Sequence, residues 1–262
     1  MEFTVSHGQM DVTFGDPDAN LETVKRMTTE AARRGSQMVV FPELWSTGYD
    51  LSNAARYATG LKEGIFAKIS ALAAKEKIYI IGSNLSLLGE GKFCNTLTVF
   101  SPQGELLADY SKIHLFQLMD EHQYLTAGEK PVLLDLPFGK AGLAICYDLR
   151  FPELFRGYVL AGADLVILPA EWPHPRLSHW QTLVRSRAIE NQMFMLACNR
   201  VGKDPGNEFF GHSMVVSPWG EILAEAGEGE ELVTVTVDQA KVQEARRKIP
   251  ILRDRRPEIY KL

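Results

Sequence analysis

Apolar positions along this chain follow two periods. Between Asn20 and Gly35, Leu21, Val24, Met27 and Ala31 share one face of a helical repeat, and Ile65, Ile69, Leu72 and Ala73 do the same further on. Asn20 is the expected N-cap of the first helix, since a short polar side chain can accept from an otherwise unpaired backbone N–H; Gly35 suits the left-handed residue past its end. Between the helical stretches run short continuous apolar strings, such as Met38 to Phe41, that fit strands covered on both sides. Helices with one apolar face alternating with such strands predict an α/β architecture of mixed sheets covered by helices.

The same series of elements occurs twice. GSQMVVFPE (Gly35 to Glu43) is answered by GADLVILPAE (Gly162 to Glu171), each a capping glycine followed by an apolar strand that ends at proline. IYIIGSN (Ile78 to Asn84) is answered by MFMLACN (Met193 to Asn199), and SPQGELLA (Ser101 to Ala108) by SPWGEILA (Ser217 to Ala224). Proline at the second position with glycine two residues later suits a type I turn closed by a left-handed residue, so the last two segments are expected at hairpin tips. Three matches in one order point to internal duplication. The predicted fold is a four-layer α-β-β-α sandwich with two mixed sheets related by a pseudo-twofold. No Pro-, Gly- or Ser-rich linker separates the halves, so residues 1–262 are read as one domain.

Composition narrows the function. A chain of 262 residues with 45% hydrophobic content can bury one large core. Its three cysteines, an odd number, disfavour a disulfide framework and predict reduced thiols in a cytoplasmic protein. No apolar run approaches the roughly 20 residues that span a bilayer, and no signal-peptide pattern is legible, so neither membrane nor export is expected. The net charge of -5 comes with no basic run beyond Arg253 to Arg256, which Asp254 interrupts, and this argues against nucleic acid. His174 and His179 are split by Pro175 and no CxxC occurs, so no metal is expected.

In α/β sheets reactive groups gather beyond the carboxyl ends of strands. Three residues have that address: Glu43 after Met38 to Phe41, Lys112 after Leu106 to Tyr110, and Cys146 after Ala141 to Ile145. Cys146 precedes YDLRFP, where Pro152 can open a helix, and a helix N-terminus or neighbouring cation would favour its thiolate. Each has an ordinary reading beside the chemical one: a loop-start carboxylate, a solvated turn lysine, a small buried thiol. Cys94 and Cys198 lie inside strand patterns and are read as buried. Gly-x-Ser-x-Gly is absent, which removes one serine-hydrolase arrangement. A cysteine–histidine pair using His114 or His7 stands as the second mechanism.

The segments VVFPEL around Glu43, YSKIHLF around Lys112 and LAICYDLRFPE around Cys146 resemble the three signatures of the nitrilase superfamily of carbon–nitrogen hydrolases, in that family's order, with likeness along essentially the whole chain. The resemblance implies the same sandwich. It also implies cleavage of small linear amides to carboxylate and ammonia, with Cys146 as nucleophile, Glu43 carrying the proton, Lys112 and the backbone N–H of Tyr147 stabilising the oxyanion, and no cofactor. It marks Glu121, in LMDEHQYLTAG, as a second carboxylate that positions Lys112 and substrate. The loop PAEWPHPR (Pro169 to Arg176) and the following SHW resemble bacterial ω-amidase members, which hydrolyse the terminal amide of 2-oxo-dicarboxylic monoamides. On that footing Trp172 is an apolar wall, and Arg150 or Arg176 holds the substrate carboxylate unless a structural acid such as Glu153 takes it. A broad aliphatic or N-carbamoyl amidase, a nitrilase and a catalytically silent binding scaffold are the alternatives. The tail 249–262 mixes arginine with apolar residues and is expected to cross to a partner subunit in a homodimer or higher homo-oligomer.

Overall fold

The computed structural model describes residues 1–89 and 91–260. The first half of the chain supplies strands β1 (Glu2–Gln9), β2 (Met38–Val40), β3 (Tyr79–Leu87), β4 (Phe93–Phe100) and β5 (Leu106–Ser111). The second supplies β6 (Leu133–Leu136), β7 (Gly139–Leu143), β8 (Leu165–Ala170) and β9 (Phe194–Asn199), a small hairpin β10 (Val201–Lys203) and β11 (Glu208–Phe210), then β12 (Met214–Val216), β13 (Ile222–Glu225) and β14 (Glu231–Asp238). One sheet runs β14-β1-β2-β3-β4-β5 and the other, read from its β6 edge, β6-β7-β8-β9-β12-β13. Read in that direction, both sheets pair antiparallel, parallel, parallel, antiparallel, antiparallel. The echoes in the sequence are therefore a duplication of topology.

The longer helices are α1 (Pro17–Arg33), α2 (Gly64–Glu76), α3 (Pro152–Leu160), α4 (Leu177–Asn191) and α5 (Ala240–Lys248). Val24 and Met27 of α1 and Ile69 and Leu72 of α2 pack on Val39, Phe41 and Ile80, covering the outer face of the first sheet. Phe155 of α3 and Val184 and Ala188 of α4 join the cluster that also holds the facing interiors of both sheets, among them Val5, Val40, Leu97, Leu143, Ile167 and Leu196. Burying each such side chain contributes about 1.5–3 kcal/mol, so opposed apolar faces suffice to hold helix, sheet, sheet and helix in four layers. Among the described residues no helix is long and apolar enough to cross a membrane.

Local signals fared unevenly. Gly35 and Gly162 take φ of 79° and 95° past their helices, and Gly104 and Gly220 donate to the carbonyls of Ser101 and Ser217 at 2.8 Å in the two hairpin tips. The cap of α1, however, is Asp16, which accepts from Ala19 N at 3.0 Å, not Asn20. Pro17 explains the shift: lacking an N–H and fixed near helical φ, it favours the first helical position and moves the start upstream. Asn20 is buried within the helix, where its amide donates to Thr13 O and Ser46 O at 2.7 and 2.9 Å.

His7, in β1, is fully buried, and neither ring nitrogen has a partner among the described residues. Burial pushes its pKa down from 6.5 to about 3. The unfolded chain therefore takes up this proton first, and stability present above pH 6.5 is lost as pH falls toward about 3, by up to roughly 5 kcal/mol. His7→Leu is expected to move the midpoint of acid unfolding, followed by circular dichroism, to lower pH; an unchanged or higher midpoint contradicts this.

Candidate active site

Three backbone devices bring distant residues to one place. Glu43 leaves β2, and Leu44 after it takes a left-handed φ of 42°. The turn is pinned from β3, because Ser83 Oγ accepts from Leu44 N at 3.0 Å and Asn84 Oδ1 from Ser46 N at 3.2 Å. Lys112 stands one residue beyond β5, its N–H bound to Asn95 O at 2.9 Å and its carbonyl to Gly128 N at 2.8 Å. Only glycine fits at 128, since a Cβ there would lie 2.0 Å from Ser111 O. Cys146 begins a short turn after β7 at a left-handed φ of 45°, a conformation whose cost is tolerated where the surroundings enforce it. Asp148 enforces it here. Fully buried, it accepts from Ile145 N at 2.8 Å, Tyr110 Oη at 2.7 Å, His114 N at 3.0 Å and His114 Nδ1 at 2.7 Å, tying the cysteine turn to the segment that carries Lys112.

At the centre is a buried charged cluster. Lys112 Nζ donates to Glu43 Oε1 at 2.8 Å and to Glu121 Oε1 at 2.5 Å, with all three side chains fully buried. Asn95 Nδ2 also donates to Glu43 Oε1, at 2.7 Å, and the amide of Glu171 to Glu43 Oε2, at 2.9 Å. Glu121 is held further by Tyr49 Oη at 2.5 Å and Phe116 N at 2.7 Å. Burial opposes the charge on Lys112, but Glu121 and Glu43 outweigh it and hold the ammonium well protonated. Burial raises the pKa of Glu121, with Lys112 opposing and Glu43 adding.

Cys146 lies in the field of Glu43, Lys112 and Glu121. Its thiol is pushed well up, first by burial and then by Glu43, with Lys112 opposing. The turn therefore does not by itself produce a thiolate, contrary to the expectation from a strand-to-helix address. Burial and the nearby Glu43 carboxylate outweigh the Lys112 ammonium. The histidine alternatives do not meet the sulfur: His114 is committed to Asp148 and stacks on Phe151 at 3.6 Å, and His7 is sealed in β1.

Beside Cys146 a small, partly open chamber of about 10 Å³ is lined by Phe116, Tyr147, Arg150, Glu171, Trp172 and Arg176. Trp172 is fixed as a wall, its N–H donating to Asn199 Oδ1 at 2.7 Å and its indole Nε1 to Arg176 O at 3.2 Å. The Arg150 guanidinium lies 4.7 Å over the Trp172 ring and that of Arg176 5.7 Å over Phe116. Among the described residues neither arginine forms an ion pair, with Glu153 or any other acid. Tyr49, Asn95 and Asp148 carry no sequence signal that marks them for this cluster.

A buried thiol facing a carboxylate and an ammonium, set between two sheets of duplicated topology, defines a hydrolase that acts on carbon–nitrogen bonds. Residues 4–247 match the carbon-nitrogen hydrolase family, and the chain belongs to it. It is 38% identical to the 2-oxoglutaramate amidase of Bacillus subtilis (strain 168) over 260 residues, covering 99% of this chain and 100% of the relative. Among solved structures, XC1258 from Xanthomonas campestris, a CN-hydrolase superfamily protein with an arsenic adduct in its active site, superposes with a TM-score of 0.92 at 30% identity, over 98% of each chain. A mutant amidase from Nesterenkonia sp. AN1, with acrylamide added at its active-site cysteine, gives 0.84 at 26% identity over 95% of this chain and 99% of its own.

Proposed function

We propose that the protein is a cysteine-dependent ω-amidase, hydrolysing the terminal amide of a small linear substrate that carries a carboxylate, of the 2-oxo-dicarboxylic monoamide type. One observation carries the substrate reading: two guanidinium groups without acidic partners line the chamber that holds Cys146. Such groups near a low-dielectric cavity favour an anionic ligand, and a guanidinium fork matches a carboxylate. The likeness to 2-oxoglutaramate amidase supports the same class.

In this reading Cys146 Sγ attacks the amide carbon while Glu43 takes the thiol proton. The oxyanion is met by Lys112 Nζ and Tyr147 N–H, each such donor being worth about 10²-fold or more in rate. The intermediate collapses as Glu43 returns the proton to departing ammonia. Glu43 then deprotonates a water that opens the thioester, releasing carboxylate and restoring the thiol. Glu121, with Tyr49 behind it, holds Lys112 in place, and Trp172 forms the apolar wall.

Ammonia release from 2-oxoglutaramate, a simple aliphatic amide and a nitrile tests this. Replacing Arg150 or Arg176 by methionine is expected to lower kcat/KM for 2-oxoglutaramate by about 10- to 100-fold, the worth of a charged hydrogen bond, with much less effect on the aliphatic amide. Equal losses on both substrates would remove the carboxylate assignment. Cys94, Cys146 and Cys198 are all free and buried, which supports a reducing, cytoplasmic setting. The tail, where Ile249, Ile259 and Tyr260 are exposed and the last two residues lie outside the described ones, is proposed to dock on a second copy of the chain. Light scattering is expected to give a dimer or larger species, and a stable monomer would end that reading.

A further inference from the structure

One acid beside the site has no part in the steps above. Glu171 follows β8 as Glu43 follows β2, so the duplication puts the two at corresponding strand ends, and the fold turns them toward each other: Glu171 N donates to Glu43 Oε2 at 2.9 Å. Each acid has its own buried cation. Lys112 serves Glu43, and Arg200 Nη1 serves Glu171 Oε2 at 3.1 Å. The two pairs differ in how completely they are satisfied. Glu43 receives Asn95, Lys112 and the Glu171 amide, whereas Glu171 Oε1 is fully buried with no partner among the described residues. Arg200 is shared rather than devoted to this acid: it also donates to Val12 O at 2.7 Å and Val201 O at 3.2 Å and lies over Phe209, and none of its bonds reaches Glu171 Oε1.

The charged and titratable groups facing Glu171 are Arg200 after β9, Glu43 after β2 with Lys112 beyond it, Asp204 in the β10–β11 hairpin and, around the chamber it also lines, Cys146, Arg150 and Arg176; Asp11 stands 3.8 Å from the far side of Arg200. An unpartnered buried carboxylate oxygen is costly when charged and far less so when the group holds its proton. Burial, only partly opposed by Arg200 and reinforced by Glu43, pushes Glu171 up to about 8.

We propose that Glu171 is a positioning residue acting through Glu43: protonated, it steadies the turn whose amide holds Glu43 Oε2, and its ionisation places a second negative charge behind Glu43 that suppresses turnover at alkaline pH. The suppression follows from the reaction's own charge flow. As the thioester forms, negative charge grows on the substrate oxygen and Glu43 must give up a proton to ammonia; an added anion behind Glu43 opposes both. The proposal rests on Glu43 as the proton carrier but not on the identity of the amide.

The test compares kcat against pH, from about pH 6 to about pH 9.5, for the unmodified enzyme and Glu171→Gln on any amide that is turned over. The unmodified enzyme is expected to lose activity with a midpoint near pH 8, and E171Q to carry that limb at least about one pH unit higher. A purely structural role would change the height of the profile and the melting temperature but not the position of the limb. Coincident limbs overturn the proposal. Infrared difference spectra of the unmodified enzyme need neither a variant nor turnover. A buried carboxylic-acid carbonyl band present near pH 6 and lost with a midpoint near pH 8 is expected, and its absence near pH 6 equally overturns the proposal, whatever the substrate proves to be.

Discussion

Cys146→Ala is expected to lower amide hydrolysis by about 10⁴-fold or more, with folding intact, because the acyl-enzyme route is lost altogether rather than weakened. Thermal unfolding should move little, since the change removes one small buried atom from a turn held by Asp148 and not by the sulfur. The raised thiol pKa adds a second expectation. Without substrate, alkylation by iodoacetamide should be slower than that of an ordinary exposed cysteine, and should accelerate as the pH is raised, because the reactive thiolate is scarce in the resting site. Retained turnover in the alanine variant would dismiss Cys146 as nucleophile. Fast alkylation at neutral pH would dismiss the resting state described for it.

Lys112→Met should damage both rate and stability. In the folded protein the ammonium is the one cation between Glu43 and Glu121, and all three groups are out of water. Methionine fills similar space but leaves two carboxylates facing each other. Removing one partner of a buried charge pair costs about 3–5 kcal/mol, which for a chain of this size is a fall in Tm of about 10 °C. If Lys112 meets the oxyanion as proposed, its loss adds a drop of about 10²- to 10³-fold in kcat. Calorimetry and initial rates measure the two effects separately. A variant that melts no lower than the parent would show that the carboxylates do not depend on the lysine for their charge.

Much of this arrangement is legible in the sequence because it is local. Capping glycines, the two serine-led turns and the apolar strings state the order of elements, and repetition states that there are two sheets. Position after a strand makes Glu43, Lys112 and Cys146 candidates, but it is the likeness of the segments around them to the three family signatures that singles them out. What was not legible depends on partners far away in the chain. Asn95 looks like any strand asparagine until Glu43 arrives beside it, and Tyr49 is an ordinary loop tyrosine until it meets Glu121. The Glu171 amide is a main-chain group, on which side-chain identity is silent. Asn20 illustrates the converse: a good capping residue was drawn into the interior by Thr13 and Ser46 once Pro17 had set the helix start. The upward push on the Cys146 thiol was likewise not legible, since depth of burial is set by the whole fold and not by the strand-to-turn address.

The duplicated sheets have one further consequence. Glu43, Lys112 and Glu121 belong to the earlier copy, while Cys146, Arg150, Trp172 and Arg176 belong to the later. A polypeptide made of either copy alone would possess Glu43 and Lys112 without Cys146, or Cys146 without them. The later copy still carries an acid at the same strand end, but Glu171 stands one residue further past its proline than Glu43 does, so the two halves share a scaffold and differ in what they present from it.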